Sequence, residues 1–309
     1  MPFHSFTNDR NPLLAGLWLA LVAVLIPYPS FAQNQLIATC TLPDTPIKAF
    51  QNAVLPGSVA NDRKILLGSV GSDLWHGAND PQDEFWMITD RGPNGQIKVA
   101  GANRRTFWVP DFNPMILRVK TDSKAIKILQ TIPIVGQSGK PVSGLPNIKG
   151  IDETPYEYSG QEILSFNVNG IDPEGLVRTK AGDFWIAEEY SPSLLHVDAA
   201  GKVLKRYLPQ GVKLSNADYA IAEVLPAIYG KRKINRGFEG LTLSGDEKTL
   251  YLALQSPLLI PDRKIGDARP ATPECLSSIS PARKSRPSML TDSTSLRNST
   301  PIPRIPPMR

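Results

Sequence analysis

Pro173-Glu174-Gly175-Leu176 and, after a short turn, Phe184-Trp185-Ile186-Ala187-Glu188-Glu189 form the stretch that decides the fold. It joins an acidic residue beside glycine to an apolar, aromatic strand that ends on a polar side chain. The same pattern recurs in Phe238-Glu239-Gly240-Leu241 and Leu250-Tyr251-Leu252-Ala253-Leu254-Gln255. Its strand half occurs a third time in Phe85-Trp86-Met87-Ile88-Thr89-Asp90-Arg91. Repeated units made of strands are typical of β-propellers, so the sequence predicts an all-β, propeller-like fold.

The repeat also predicts where functional side chains lie. Each unit delivers a polar residue from the same end of its strands, so we expect these residues to converge on one site. They are Asp90, Glu174, Glu189, Glu239 and Gln255. Successive side chains of a strand point to opposite faces, so Glu188 and Glu189 cannot both face this site. The register with Asp90 and Gln255 favours Glu189 and predicts that Glu188 is only solvated.

Periodicity elsewhere predicts the order of the elements. Strands are predicted at 64–70, 84–90, 114–120, 125–134, 175–179, 183–189, 194–197, 203–207, 238–243 and 249–254. A short helix is predicted at 217–225, where Pro226 would end it. Residues 135–172 are rich in Gly, Pro, Asn and Ser, and a connection of that length is usually functional or mobile.

The first 32 residues are typical of a secretory signal peptide. They contain Arg10, an apolar stretch over 13–26 and the small-x-Ala site Ser30-Phe31-Ala32. The apolar stretch is short for a membrane span, although a retained anchor is an open alternative. We therefore expect a secreted or periplasmic protein that begins near Gln33 and has no membrane span after removal of the signal.

The C-terminal segment differs in composition from the rest of the chain. Residues 263–309 contain eight prolines, nine Lys or Arg, three Asp or Glu and no aromatic residue. Such a segment cannot bury enough apolar surface to offset the entropy of ordering, so a disordered, basic, Pro/Ser-rich tail is predicted. The folded domain is then 33–262, with room for about four blades. We expect this propeller to be incomplete, with its C-terminal blades missing.

The tail also explains the basic charge of the chain. Its own net charge exceeds the +5 of the whole sequence, so the domain at 33–262 is close to neutral. The basic balance therefore gives no support for a nucleic-acid partner. Cys40 and Cys275 are far apart and lack paired histidines, which excludes a zinc site of the usual spacing.

Several ordered motifs resemble a known family. They are Thr89-Asp90-Arg91-Gly92-Pro93-Asn94, Ser143-Gly144-Leu145-Pro146-Asn147, Gly170-Ile171-Asp172-Pro173-Glu174-Gly175-Leu176, Asn235-Arg236-Gly237-Phe238-Glu239-Gly240-Leu241 and Gln255-Ser256-Pro257-Leu258. Over about 60–260 the chain resembles the bacterial "esterase-like activity of phytase" family. The resemblance implies a secreted or periplasmic β-propeller-like domain whose acidic residues are catalytic or bind metal. After Pro261 the family pattern stops where further strands are expected, which predicts a truncated domain.

Carboxylates from separate repeats suit a hard cation. Oxygen ligands of this kind are preferred by calcium and not by zinc. The predicted calcium ligands are Asp90, Glu174, Glu189 and Glu239. Bound calcium can neutralise the oxygens of a phosphate ester and activate a water molecule.

Two arginines lie within a few residues of these carboxylates. Arg91 and Arg236 can clamp a phosphate group through bidentate hydrogen bonds. We therefore predict catalytic roles for Arg91, Arg236 and Glu189. The alternative is that these acidic and basic residues form structural salt bridges or cap turns.

The sequence thus predicts a phytase-like phosphoesterase that hydrolyses a small phosphate ester with calcium. Two other functions stay open. One is a noncatalytic, calcium-stabilised propeller that binds a ligand in the cell envelope. The other is a propeller hydrolase that acts on a different ester, such as a lactone. A serine hydrolase is not supported, because no G-x-S-x-G pentapeptide occurs.

Overall fold

The computed structural model describes residues 36, 38–68, 70–259 and 277–279. The predicted signal peptide and most of the predicted tail lie outside the described residues. Among the described residues, no helix has the length and apolar character needed to cross a membrane.

The described chain consists mainly of strands. One α-helix, α1, spans Ile47–Val54, and a 3₁₀ helix spans Ala227–Lys231. The strands are β1 (Val70–Trp75), β2 (Glu84–Thr89), β3 (Asn94–Val99), β4 (Ala102–Phe107), β5 (Met115–Asp122), β6 (Ala125–Pro133), β7 (Pro155–Tyr156), β8 (Pro173–Arg178), β9 (Phe184–Glu188), β10 (Ser193–Val197), β11 (Val203–Pro209), β12 (Ala220–Leu225), β13 (Phe238–Leu243), β14 (Leu250–Leu254) and β15 (Ser277–Ile279).

These strands form several separate sheets, and none of the described sheets closes on itself. The strand orders are β1-β2-β5-β6, β12-β11-β10-β9-β8, β13-β14-β15 and β3-β4-β7. The predicted all-β, propeller-like fold is confirmed.

Three of the described sheets meet along their edge strands. Strand β8 lies at the edge of its sheet and packs against both β1 and β13, which are the edge strands of their own sheets. The backbone amide of Leu176 in β8 donates to Asp73 Oδ2 in β1 over 2.7 Å. The sheets that contain β1 and β8 are therefore joined by a hydrogen bond as well as by packing.

Apolar side chains fill the space on both faces of β9 and β10. One cluster, shared with β2 and β5, includes Trp86, Ile116, Ile186 and Leu195. The other, shared with β13 and β14, includes Trp185, Leu194, Phe238 and Leu252. Each buried side chain of this size contributes about 1.5–3 kcal/mol relative to exposure. The five-stranded sheet is consequently a middle layer that is buried on both faces.

A β-bulge explains the acidic residue beside glycine in each repeat. In the hairpin β8–β9, Pro173 lies opposite Glu188 and Gly175 lies opposite Ala187, so Glu174 has no partner. In the hairpin β13–β14 the same register shift leaves Glu239 without a partner. A bulge re-aims the side chain of the extra residue. The bulges therefore turn Glu174 and Glu239 out of the regular alternation of their strands.

The structure differs from the sequence-based expectations at several elements. The strand predicted at 64–70 begins at Val70, and β3 and β4 were not predicted because their residues are largely polar. The helix predicted at 217–225 is instead strand β12, which pairs in parallel with the open side of β11. This pairing overrides the high helix propensity of Ala and Glu, because tertiary pairing outweighs differences of a few tenths of a kcal/mol per residue. Within the predicted disordered tail, Ser277–Ile279 forms β15 on β14.

Candidate functional site

The repeated hairpins place their polar residues at corresponding positions. Asp90 follows the last residue of β2, Glu189 follows β9 and Gln255 follows β14. The amide of Glu189 donates to the Asp172 carbonyl, and that of Gln255 donates to the Gly237 carbonyl, both over 3.0 Å. The backbone that carries these residues is therefore built in the same way in both repeats.

Three carboxylates form the centre of the site. Asp90, Asp172 and Glu174 each offer one oxygen, and these oxygens all lie within 4.8 Å of one another. Asp172 was not among the predicted ligands. The corresponding position of the second repeat is Gly237, so an argument from the repeat passes over Asp172. Its place in the motif Asp172-Pro173-Glu174 was the available signal.

The electrostatics of the site bring in the other two predicted ligands. The pKa of Glu174 is raised to about 9, first by burial and then by repulsion from Asp90, Glu239 and Glu189. The pKa of Glu239 is raised by burial and by Glu189, while Gln255 and Arg236 oppose the rise. Since these shifts require mutual proximity, the structure brings together Asp90, Glu174, Glu189 and Glu239 as the repeat predicts.

Two buried carboxylate oxygens at the site lack a hydrogen-bond donor. Asp172 is 1% exposed and Glu189 is 2% exposed. Asp172 Oδ1 and Glu189 Oε1 have no hydrogen-bond partner among the described residues. The pKa of Asp172 is raised well above its usual value by burial, against the attraction of Arg91. Leaving such oxygens unpaired is costly, and a cation bound between them would satisfy them.

Arg91 is directed into the protein. Its Nη1 lies 2.7 Å from Asp172 Oδ2 and donates to Tyr190 Oη over 3.1 Å and to Asn235 Oδ1 over 2.8 Å. The guanidinium therefore acts as an internal counter-ion, and its predicted contact with phosphate stays a prediction. Arg236 is exposed, and its Nη1 donates to the neighbouring Asn235 carbonyl over 2.6 Å.

The prediction that Glu188 is solvated was wrong. Glu188 is fully buried and forms an ion pair with Arg206, which is also fully buried. Burial raises the pKa of Glu188 to about 7, while Arg206 opposes the rise. The alternation of side chains did separate Glu188 from Glu189, but β9 lies inside a sheet that is covered on both faces, so neither face of the strand meets solvent.

Two crossing backbone segments hold the site. Ser191 has φ +46° and Asn235 has φ +53°, which is an uncommon conformation for residues with side chains. A Cβ atom on Gly237 would lie 2.3 Å from the carbonyl oxygen of Glu189. The close approach of 235–237 to 189–191 therefore depends on glycine. Strain of this kind concentrates at functional sites.

Comparison with known proteins agrees with this architecture. Residues 72–275 match the phytase-like family, described as esterase-like activity of phytase. An uncharacterized secreted protein of Arthroderma benhamiae is 26% identical over 243 residues, which cover 66% of this chain and 47% of that protein. The chain thus spans about half the length of this relative.

Proposed function

The chain belongs to the phytase-like family, esterase-like activity of phytase, and from this membership we propose that it hydrolyses a small phosphate ester with the assistance of calcium. Membership supports a hydrolase-like function. The observation that carries the finer proposal is the convergence of carboxylates around two buried oxygens without donors, those of Asp172 and Glu189. When these carboxylates are ionised, a bound cation would supply compensating positive charge.

Calcium fits the residues present. All the donors are carboxylate oxygens, which are hard ligands, and the central three oxygens span at most 4.8 Å. Calcium binds oxygens at about 2.3–2.6 Å, so oxygens on opposite sides of one ion are roughly 5 Å apart. We assign Asp90, Asp172, Glu174 and Glu189 as ligands, with Glu239 beside them. When bound, the cation would neutralise phosphate oxygens and lower the pKa of a water molecule.

We assign phosphate binding, proton transfer and orientation of the carboxylates to four side chains of the site. Arg236, which is exposed beside Glu239, binds the phosphate group of the substrate. Glu189 accepts the proton of the attacking water. Arg91 holds Asp172 in place and offsets part of the negative charge of the site. Gln255 Nε2 donates to Glu239 Oε1 over 3.1 Å and so orients that carboxylate.

The site of action follows from the predicted signal peptide. The relative from Arthroderma benhamiae is described as secreted, which supports export of this chain as well. We propose that the protein acts as a secreted or periplasmic enzyme.

Hydrolysis of a phosphomonoester in chelator and in added calcium tests this function. The proposal is supported if activity requires calcium. Activity should also saturate at the same calcium concentration as calcium binding measured by calorimetry. A protein that binds calcium and hydrolyses no phosphate ester contradicts the phosphoesterase proposal and leaves the noncatalytic ligand-binding propeller or hydrolysis of another ester.

A second candidate function is hydrolysis of an uncharged ester such as a lactone. It is favoured by the engagement of Arg91 within the protein, which leaves phosphate recognition dependent on Arg236. A neutral ester has no need of a fixed cation. Parallel assays of a lactone and a phosphomonoester distinguish the two, because Arg236→Ala should lower only phosphoesterase activity.

A further inference from the structure

A fully buried arginine lies directly behind the candidate site. Arg206 is 0% exposed, and its guanidinium donates to groups from several separate segments. They are Ser193 Oγ at 2.7 Å, Gly170 O at 3.1 Å, Tyr219 Oη at 3.1 Å, Asn147 Oδ1 at 2.8 Å, Tyr190 O at 3.3 Å and the carboxylate of Glu188.

The bonds of Arg206 and Glu188 bracket the two buried carboxylates of the site. Arg206 binds the carbonyl of Gly170, two residues before Asp172, and the carbonyl of Tyr190, which follows Glu189. Glu188 Oε2 accepts from the amide of Tyr190 over 2.9 Å and from the amide of Asp172 over 3.4 Å. Backbone on either side of Asp172 and Glu189 is thus attached to one ion pair.

We propose that Arg206 and Glu188 are positioning residues, which fix the backbone of Asp172 and Glu189 so that both carboxylates are held ready for a cation. The part of this inference that concerns cation affinity rests on the proposed function. The part that concerns the backbone does not.

Stability alone is a poor account of this pair. Replacing a buried ion pair by apolar residues of similar volume is often neutral or stabilising, because desolvation of both charges offsets their attraction. Directional hydrogen bonds to several segments are what an apolar pair cannot supply. Outer partners of this kind tune metal affinity by roughly 10–100-fold.

Amide hydrogen exchange and calcium calorimetry test the proposal on Arg206→Met. The matched control is Gln51→Met, which places the same residue at another fully buried polar position, where Gln51 binds the backbone of Asn113. We expect exchange at 170–172 and 189–191 to be about tenfold faster in Arg206→Met, and calcium affinity to fall roughly 10–100-fold. Gln51→Met should leave both unchanged.

The double variant Glu188→Leu/Arg206→Met separates positioning from stability. It leaves no unpaired buried charge, so it should fold even where Arg206→Met does not. We expect the double variant to keep the melting temperature of the wild type. Its amide exchange at 170–172 and 189–191 should still be faster than in the wild type, and its calcium binding weaker. Unchanged exchange at 170–172 and 189–191, or an equal increase throughout the chain, would overturn the positioning role. Wild-type protein that binds no calcium refutes the proposed function, while the exchange pattern still decides the role of the pair.

Discussion

Glu174 has no cross-strand partner at its bulge, and burial, together with repulsion from three other carboxylates, raises its pKa to about 9. Glu174→Gln keeps the shape of the side chain and removes a charged ligand. We expect calcium affinity to fall at least about tenfold, because ligand charge sets the strength of calcium sites. The metal-free protein should be at least as stable as the wild type, since repulsion is removed. Calorimetry and thermal unfolding measure the two effects.

The control for this substitution is Glu223→Gln. Glu223 is also a carboxylate, but it lies on β12 and pairs with the exposed Lys213. The substitution Glu223→Gln should leave calcium affinity unchanged. If Glu174→Gln and Glu239→Gln both retained wild-type calcium affinity and turnover, these glutamates would be scaffold, and the ligand-binding propeller would be the better function.

Arg236→Lys tests phosphate recognition separately from metal binding. An ammonium group cannot reproduce the two parallel hydrogen bonds of a guanidinium to phosphate. We expect KM for a phosphomonoester to rise by about tenfold while calcium affinity stays within twofold. Equal KM in the variant and the wild type would remove Arg236 from the substrate site.

At the scale of residues, the repeat predicted most of the site. It identified Asp90, Glu174, Glu189 and Glu239, which the structure brings together. It could not identify Asp172, because the second repeat has glycine there. The inward direction of Arg91 was equally hidden, since it depends on the ion pair with Asp172.

At the scale of elements, the hairpins were predictable and their partners were less so. Turns and apolar strands located β8–β9 and β13–β14 within a few residues. Strand β12 was predicted as a helix. It forms a strand because it pairs in parallel with the free edge of β11, and no local sequence pattern shows that this edge is free. The same limit applies to Glu188, whose burial depends on two neighbouring sheets.

Gly237→Ala tests the crossing of the two segments at the site. The new Cβ atom would meet the backbone of Glu189, with its carbonyl oxygen at 2.3 Å, and backbone cannot move aside cheaply. We expect a loss of about 1–3 kcal/mol in the free energy of unfolding, measured by chemical denaturation. Calcium binding should weaken as well, because Glu189 is displaced.

Gly245→Ala is the matched control for this element. A Cβ atom at Gly245 would meet no other atom within 4 Å. Its stability should lie within about 0.5 kcal/mol of the wild type. Equal stability of the Gly237 and Gly245 variants would contradict the close approach of 235–237 to 189–191.

At the scale of the whole molecule, the site brings together carboxyl groups from separate sheets. Raised pKa values occur at Asp172, Glu174 and Glu239, all with burial as the first cause. Outside the site, hydrogen bonds lower the pKa of Glu157 and of Asp246 to about 2. Above about pH 4.5 the buried carboxyl groups with raised pKa values, Glu188 among them, therefore contribute to the pH dependence of stability, while Glu157 and Asp246 do not.

This separation predicts how stability depends on pH. The Glu174 carboxyl has a pKa of about 9 when folded and 4.5 as its ordinary value. Between these values the folded state holds a proton that the unfolded chain has released, so the free energy of unfolding falls as pH rises. We expect the melting temperature of the metal-free protein to decline from about pH 5 to about pH 9, and Glu174→Gln to reduce the decline.

Calcium binds the ionised carboxylates and releases protons, so its stabilising effect should increase with pH over the same window. Melting curves in chelator and in excess calcium at several pH values measure both slopes. A metal-free melting temperature that rises across this window would contradict the burial of charge at the site.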